Sequence, residues 1–384
     1  MTTTFPDPTP HLATGLATGR TSGARRAPAD NQLRYVDEHI ELLGCQPVTE
    51  LGLGVDVMAV ATANLAARRD PAGFWWVNQK VERDVQRLID DGIGRPEVPL
   101  AGAKGRALLA EQHPVLADWW GTADERQSGD MHFEYMARWR EHVPSARALW
   151  PLQNPDAPAV PFDNGAVPSA DDWRVWSHVA DAVGIRSRAA VAAAILEAHF
   201  RSFPRASWLS HASGAVVPVT STAARLRAMG VECFLELWDS DDQSLALADE
   251  LAERHGLADR LTGSTVDLLD LGALRATPAR FDMVDILGFF EYLPSEPNGV
   301  FPTASDYLSA ALSVVRPGGV LVMANMLDTH PQLDFVMRCV QWPFIQPRGL
   351  DELVELVRRA GVDDDSVTVY LPDDGVYAVI AIRV

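Results

Sequence analysis

The sequence predicts an α/β protein: a doubly wound, mostly parallel sheet of seven strands that ends in an antiparallel hairpin, with a helical cap in front of it. Three observations predict this. In the second half, short β-prone runs alternate with helical runs, the rhythm of a parallel sheet covered on both faces. At the end, "DSVTVYLPDDGVYAVIAIRV" holds two strands, Val367–Tyr370 and Val376–Arg383. Pro372, Asp373, Asp374 and Gly375 join them, a connection too short for a parallel crossover. In the first half, apolar residues recur at three- and four-residue steps, the helical period.

Residues 1–30 are rich in Thr, Pro, Gly and Ala without an apolar period, and read as a disordered tail. Residues 31–148 read as the helical cap. "NQLRYVDEHIELLG", "VDVMAVATANLAARR", "GFWWVNQKVERDVQRLIDDG" and "HFEYMARWREHV" supply its helices. The prolines and glycine of 149–172 mark a linker. The catalytic unit then covers 173–384. It opens on a helix with Ser169 placed as N-cap. "ASWLSHA" is strand-like and "TSTAARLRAMG" helical; "ECFLELWD" is strand-like and "DQSLALADELAERHG" helical, ending at a glycine. "RLTGSTVDLL", "FDMVDILGFFEYL", the helix "TASDYLSAALSVV" and "RPGGVLVMANML" follow. A glycine pair, Gly52 and Gly54, reads as a turn between helices, because no strand with a terminal acid follows it.

Composition narrows the partners. A formal charge of −19 over 384 residues repels a phosphate backbone, which excludes nucleic acid. No run of eighteen apolar residues occurs, so no membrane span is expected. The N-terminus lacks a basic start followed by an apolar stretch, and the three scattered cysteines form neither a disulfide framework nor a zinc pattern. A reducing cytoplasm is the expected setting. A small-molecule substrate is the expected partner, and a homodimer is compatible with this reading.

"SHASGAVVPV" lies between the first strand of the unit and its helix, where a nucleotide-binding loop belongs. It carries a single glycine, Gly214. Asp239 ends the second strand, with Asp241 two residues on. Asp267 follows the third, and Pro317, Gly318 and Gly319 precede the fifth. In this order, and with the final hairpin, residues 185–384 resemble the class I S-adenosylmethionine (SAM)-dependent methyltransferases.

The resemblance implies a Rossmann-like methyltransferase fold and SAM as cofactor. It implies contacts from His211, Ser213 and Gly214 in the first loop, Asp239 and Ser240 at the ribose, Asp267 and Leu268 near the adenine, and Gly288 and Phe289 beyond the fourth strand. His211 or a neighbour stands where the family's first glycine belongs. Arg186 or Arg188 could aim at the SAM carboxylate. They lie two apart on a helix and cannot face the same way. Glu291, Tyr292 and Asn325, at the ends of the fourth and fifth strands, and Tyr35 of the cap are the candidate catalytic groups. The expected function is methyl transfer to a small molecule, in specialised metabolism. Ring closure of SAM to methylthioadenosine and a cyclic amino acid (azetidine-2-carboxylate or 1-aminocyclopropane-1-carboxylate) is the second enzymatic reading, and a non-catalytic SAM-binding protein the third.

Overall fold

The computed structural model describes residues 35–92, 146–156, 167, 169–201, 203–214, 216–299, 301–340, 342 and 344–384. Its strands are β1 (Tyr35–Val36), β2 (Ile40–Pro47), β3 (Asp56–Asn64), β4 (Arg205–His211), β5 (Glu232–Asp239), β6 (Leu261–Thr265), β7 (Phe281–Ile286), β8 (Val315–Met326), β9 (Val367–Pro372) and β10 (Tyr377–Arg383). They form one sheet in the order β1-β2-β3-β9-β10-β8-β7-β4-β5-β6. Strands β6, β5, β4, β7 and β8 are parallel neighbours, and β10 runs antiparallel between β8 and β9. Seven strands and the terminal hairpin are therefore where the sequence places them.

The period of two explains how the sheet is covered. On β8, Val320, Val322 and Ala324 join one core with α5 (Ala180–Phe200), α6 (Val219–Ala228) and α7 (Asp242–Arg254). The alternate residues Leu321 and Met323 join the opposite core with α8 (Leu271–Ala276), α9 (Ala304–Ser313) and α10 (Leu350–Arg359). On α10, Leu353, Val354, Leu356 and Val357 are buried, each stabilising the fold by about 1.5–3 kcal/mol relative to exposure. A third core lies over the ends of β8 and β10. There α2 (Pro71–Asp90), α4 (Ala170–His178) and residues 335–340, 342 and 345 gather Val77, Val81, Trp176, Phe335, Trp342 and Tyr377. Ser169 caps α4 in a reciprocal capping box with Asp172.

The cap differs from its expectation. Residues 35–64, expected as helices, are β1–β3, and they extend the sheet to ten strands through the parallel pair β3–β9. Only α1 (Leu65–Arg69) and α2 keep the helical reading among the described residues up to 92. Two features imitate a helical period. A bulge between Leu42 and Gly44 turns alternation into burial at 40, 42 and 45. β3 is covered on both faces, Val57 in one core and Met58 and Val60 in the other, and a doubly buried strand cannot be told from a helix by periodicity. Gly52 and Gly54 sit in the β2–β3 connection at positive φ, not between helices. A helix, α3 (Ala146–Gln153), occupies the start of the expected linker. The tail 1–30 and the segment "HFEYMARWREHV" lie outside the described residues.

Helix α5 is buried along nearly its whole length. Small residues let neighbours approach: a Cβ on Gly184 would lie 2.3 Å from Cβ of Val376. The same helix carries four charges inward, Asp181, Arg186, Arg188 and Glu197.

Candidate active site

The chain leaves β4 toward β5 and β6 on one side, then returns to β7 and β8 on the other. The carboxyl ends of β4 and β7 thus flank a topological switch point, the place where open α/β sheets bind ligands. The loop after β4 is strained. Ala212 and Val216 have φ of 57° and 49°, values that L residues seldom adopt, least of all β-branched ones. Gly214 has φ 50°, and a Cβ there would meet nothing within 4 Å. Two anchors hold the loop. The Ala212 N–H donates to the Trp238 carbonyl at 2.8 Å, and the Gly214 N–H to Oδ2 of Asp239 at 2.8 Å.

Asp239 accepts a second backbone bond, from the Asp241 N–H to Oδ1 at 3.0 Å. Burial pushes its carboxyl up, and the backbone donors of Gly214 and Asp241 oppose that. Ser240 is half-buried beside it. Ser213 Oγ is buried with no hydrogen-bond partner. His211 shares a hydrogen bond through Nδ1 with the Tyr307 hydroxyl, and its ring lies 5.6 Å from Trp238 and 5.5 Å from Tyr307. Burial pushes its pKa down to about 3, so the ring is neutral. Aromatic contacts continue from Tyr307 to Phe289 at 5.3 Å and to Tyr292 at 6.3 Å. This row connects the first loop to the loop after β7. Asp267 is exposed beyond β6 and accepts from the Leu269 N–H at 2.9 Å; Leu268 beside it is buried.

A polar group lies beyond β7, β8 and the start of β10. Glu291 is buried in the 3₁₀ turn Phe290–Tyr292. Its Oε2 accepts from the Met326 N–H at 3.1 Å, and its Oε1 faces Nη1 of Arg188 at 3.5 Å. Burial raises its pKa to about 7 against the lowering field of Arg188. The Arg188 guanidinium lies 4.4 Å over the Tyr377 ring and borders Gly288, where a Cβ would come 3.2 Å from Nη2. The Tyr377 hydroxyl donates to Oδ1 of Asp181 at 2.8 Å. Burial, chiefly, lifts Asp181 to about 6. Tyr292 accepts from Trp342 Nε1 at 2.5 Å, and burial pushes its phenol well above the usual value.

Three expected site residues stand elsewhere or are otherwise engaged. Arg186 donates to the carbonyls of Leu152 at 2.6 Å and Ser177 at 2.9 Å, tying α3 and α4 to α5. Asn325 donates to the carbonyls of Met326 and Gln346 and accepts from Arg348, so its amide is spent on holding the chain after β8. Tyr35 sits in β1 under the Arg225 guanidinium, in the field of Glu197 and away from the Glu291 group. Asp181, Tyr377, His330 and Tyr307 were not anticipated. Their signal is faint: isolated polar residues in apolar runs, whose neighbours come from remote segments.

The architecture is a Rossmann-like fold, a doubly wound parallel sheet that ends in an antiparallel hairpin, extended by three strands at its β9 edge. No protein-family model and no curated protein matches the sequence. Similar solved structures include a possible exported protein from Bordetella parapertussis, 16% identical with a TM-score of 0.51 over 80% of this chain and 95% of that one. The CurJ carbon methyltransferase is 13% identical with a TM-score of 0.46 over 80% of each chain. An O-methyltransferase family protein from Burkholderia thailandensis is 16% identical with a TM-score of 0.38 over 72% of this chain and 71% of that one. At 16% identity the likeness to the Bordetella parapertussis structure is one of fold. Among the described residues no helix is long and apolar enough to cross a membrane.

Proposed function

We propose that this chain is a SAM-dependent methyltransferase acting on a small molecule, in specialised metabolism. The observation that carries the reading is Asp239. It ends the second parallel strand beside the switch point, and its carboxylate is aimed by two backbone donors, one of them from the glycine loop. Each carboxylate oxygen accepts more than one hydrogen bond, so lone pairs remain for a pair of vicinal hydroxyls. The unpartnered Ser213 Oγ and the open space at Gly214 support a ligand lying along this loop. Three free, buried cysteines go with the reducing setting proposed for it.

When bound, SAM supplies a methyl carbon made electrophilic by its sulfonium. The protein's own task is alignment and exclusion of water. The third core, over the ends of β8 and β10, shields that side of the site. The faces of Phe289 and Tyr292 suit a cation. A base is needed only where the acceptor arrives protonated. Glu291, at about 7, can take that proton near neutrality, whereas Tyr292 keeps its own.

The test is incubation with SAM alone, followed by mass spectrometry. A methyltransferase leaves SAM intact until an acceptor is added and then forms S-adenosylhomocysteine. Enzyme-dependent methylthioadenosine above the spontaneous background, together with a cyclic amino acid, replaces methyl transfer by ring closure.

A further inference from the structure

Three buried polar atoms beyond β8 and β10 lack a hydrogen-bond partner: Arg188 Nη1, Asp181 Oδ2 and His330 Nε2. Their residues are 6%, 3% and 4% exposed, so bulk water does not serve them. They belong to one group. His330 Nε2 lies 4.0 Å from Asp181 Oδ1, Asp181 accepts from the Tyr377 hydroxyl, and the Tyr377 ring carries Arg188. The donor pattern can be assigned. The Gln332 N–H donates to His330 Nδ1 at 2.9 Å, so the proton of the neutral ring sits on Nε2. Burial holds that ring neutral by pushing its pKa to about 4. Two N–H groups, one of them on a cation, therefore face carboxylates without making a hydrogen bond: Arg188 Nη1 stands 3.5 Å from Glu291 Oε1 and His330 Nε2 4.0 Å from Asp181 Oδ1. An unmade hydrogen bond at a buried group is expensive, and native proteins seldom leave three together.

We propose that Arg188 and His330 form an acceptor subsite that binds a carboxylate, so that the substrate methylated here is a carboxylic acid. The inference rests on the methyltransferase reading above. A guanidinium edge and an imidazole N–H suit the two oxygens of a carboxylate, with the delocalised cation supplying the charge. Asp181 Oδ2 completes the site once it carries a proton. It then donates to the bound anion, and burial already raises its pKa to about 6. The groups facing the site from every packed element are Asp181 and Arg188 of α5, Glu291 and Tyr292 after β7, His330 and Arg348 after β8, and Tyr377 of β10. Arg188 and Arg348 already balance Asp181 and Glu291, so an arriving anion finds no spare cation and brings a proton with it. The aromatic wall of Phe289, Tyr292 and Tyr377 favours an acid attached to a flat apolar body.

The experiment titrates the full chain with benzoate, benzamide and benzylamine, which share a shape but carry negative, no and positive charge. Calorimetry is run with and without S-adenosylhomocysteine. Benzoate should bind at least tenfold more tightly than the other two. Arg188→Gln should weaken benzoate at least tenfold and leave S-adenosylhomocysteine unchanged. Preference for benzylamine, or equal benzoate affinity in the variant, overturns the proposal. Parallel loss of S-adenosylhomocysteine also overturns it, because Arg188 then holds the carboxylate of the cofactor. Where the variant does not fold, the wild type decides. Benzoate heats measured at pH 7 in two buffers of different ionisation enthalpy should show proton uptake, and release or no exchange refutes the site. Wild-type protein that binds benzoate but not S-adenosylhomocysteine keeps the carboxylate site and removes the methyltransferase reading.

Discussion

Asp285 lies in β7, fully inside the sheet. Trp208 Nε1 donates to its Oδ2 at 2.6 Å and Ser210 Oγ to its Oδ1 at 3.1 Å. Both donors are neutral, so burial dominates and pushes the carboxyl from 3.8 up to about 7. Between these values the native state holds a proton that the unfolded chain releases. The stability tied to this group is therefore fully present below pH 3.8 and is lost as pH rises through about 7. At ~1.4 kcal/mol per pH unit the whole loss is about 4 kcal/mol, and the part lost between pH 5 and pH 8 is about 2–3 kcal/mol. Asp285→Asn removes the titration and keeps both contacts: the amide oxygen accepts from Trp208 and the amide nitrogen donates to Ser210 Oγ. Urea unfolding of both proteins at pH 5 and pH 8 reads the effect. The variant should gain on the wild type by about 2–3 kcal/mol more at pH 8 than at pH 5. Subtracting the wild type cancels the parallel titrations of Asp181 and Glu291. An advantage of the same size at both pH values would show that Asp285 is ionised in the native state and would refute burial as the controlling cause.

Asp239→Asn keeps one accepting oxygen for the loop but loses the negative charge. SAM affinity by titration calorimetry should fall by about 1.5–3 kcal/mol, and undiminished affinity in a folded variant takes ribose contact away from this residue. Arg348 is buried and donates to the carbonyls of Phe290 and Leu293, to Ser295 Oγ and to Asn325 Oδ1. Arg348→Met leaves these acceptors buried and unpaired, so urea unfolding should show a loss of about 3–5 kcal/mol. A loss under about 1 kcal/mol would mean that water takes over its contacts.

The legible parts of this molecule are those whose information is local. Strands β4 to β10 follow from alternation with helices, and the antiparallel β9–β10 pair follows from a turn too short for a crossover. Asp239 stands at the end of β5, where its run places it. The same local reasoning fails for β1–β3, because a bulge and a doubly covered strand leave the apolar spacing of a helix. It also fails for polar side chains, whose role depends on remote partners. Arg186 and Arg188 are the same residue type two positions apart, yet one meets the carbonyl of Leu152 and the other the carboxylate of Glu291. Asn325 looks free at the end of a strand until Arg348 and Gln346 return to it. Helix α5 shows why. Enclosed on all sides, it carries no polar stripe to mark an outer face, so each of its charges must find a partner inside the protein. Glu197 is matched by Arg225, and Arg186 by carbonyls. Asp181 and Arg188 point to the strand ends and meet Tyr377 and Glu291 there. A helix that buries charge at both a fastening and a site reads identically in sequence, and only the partners it meets separate the two.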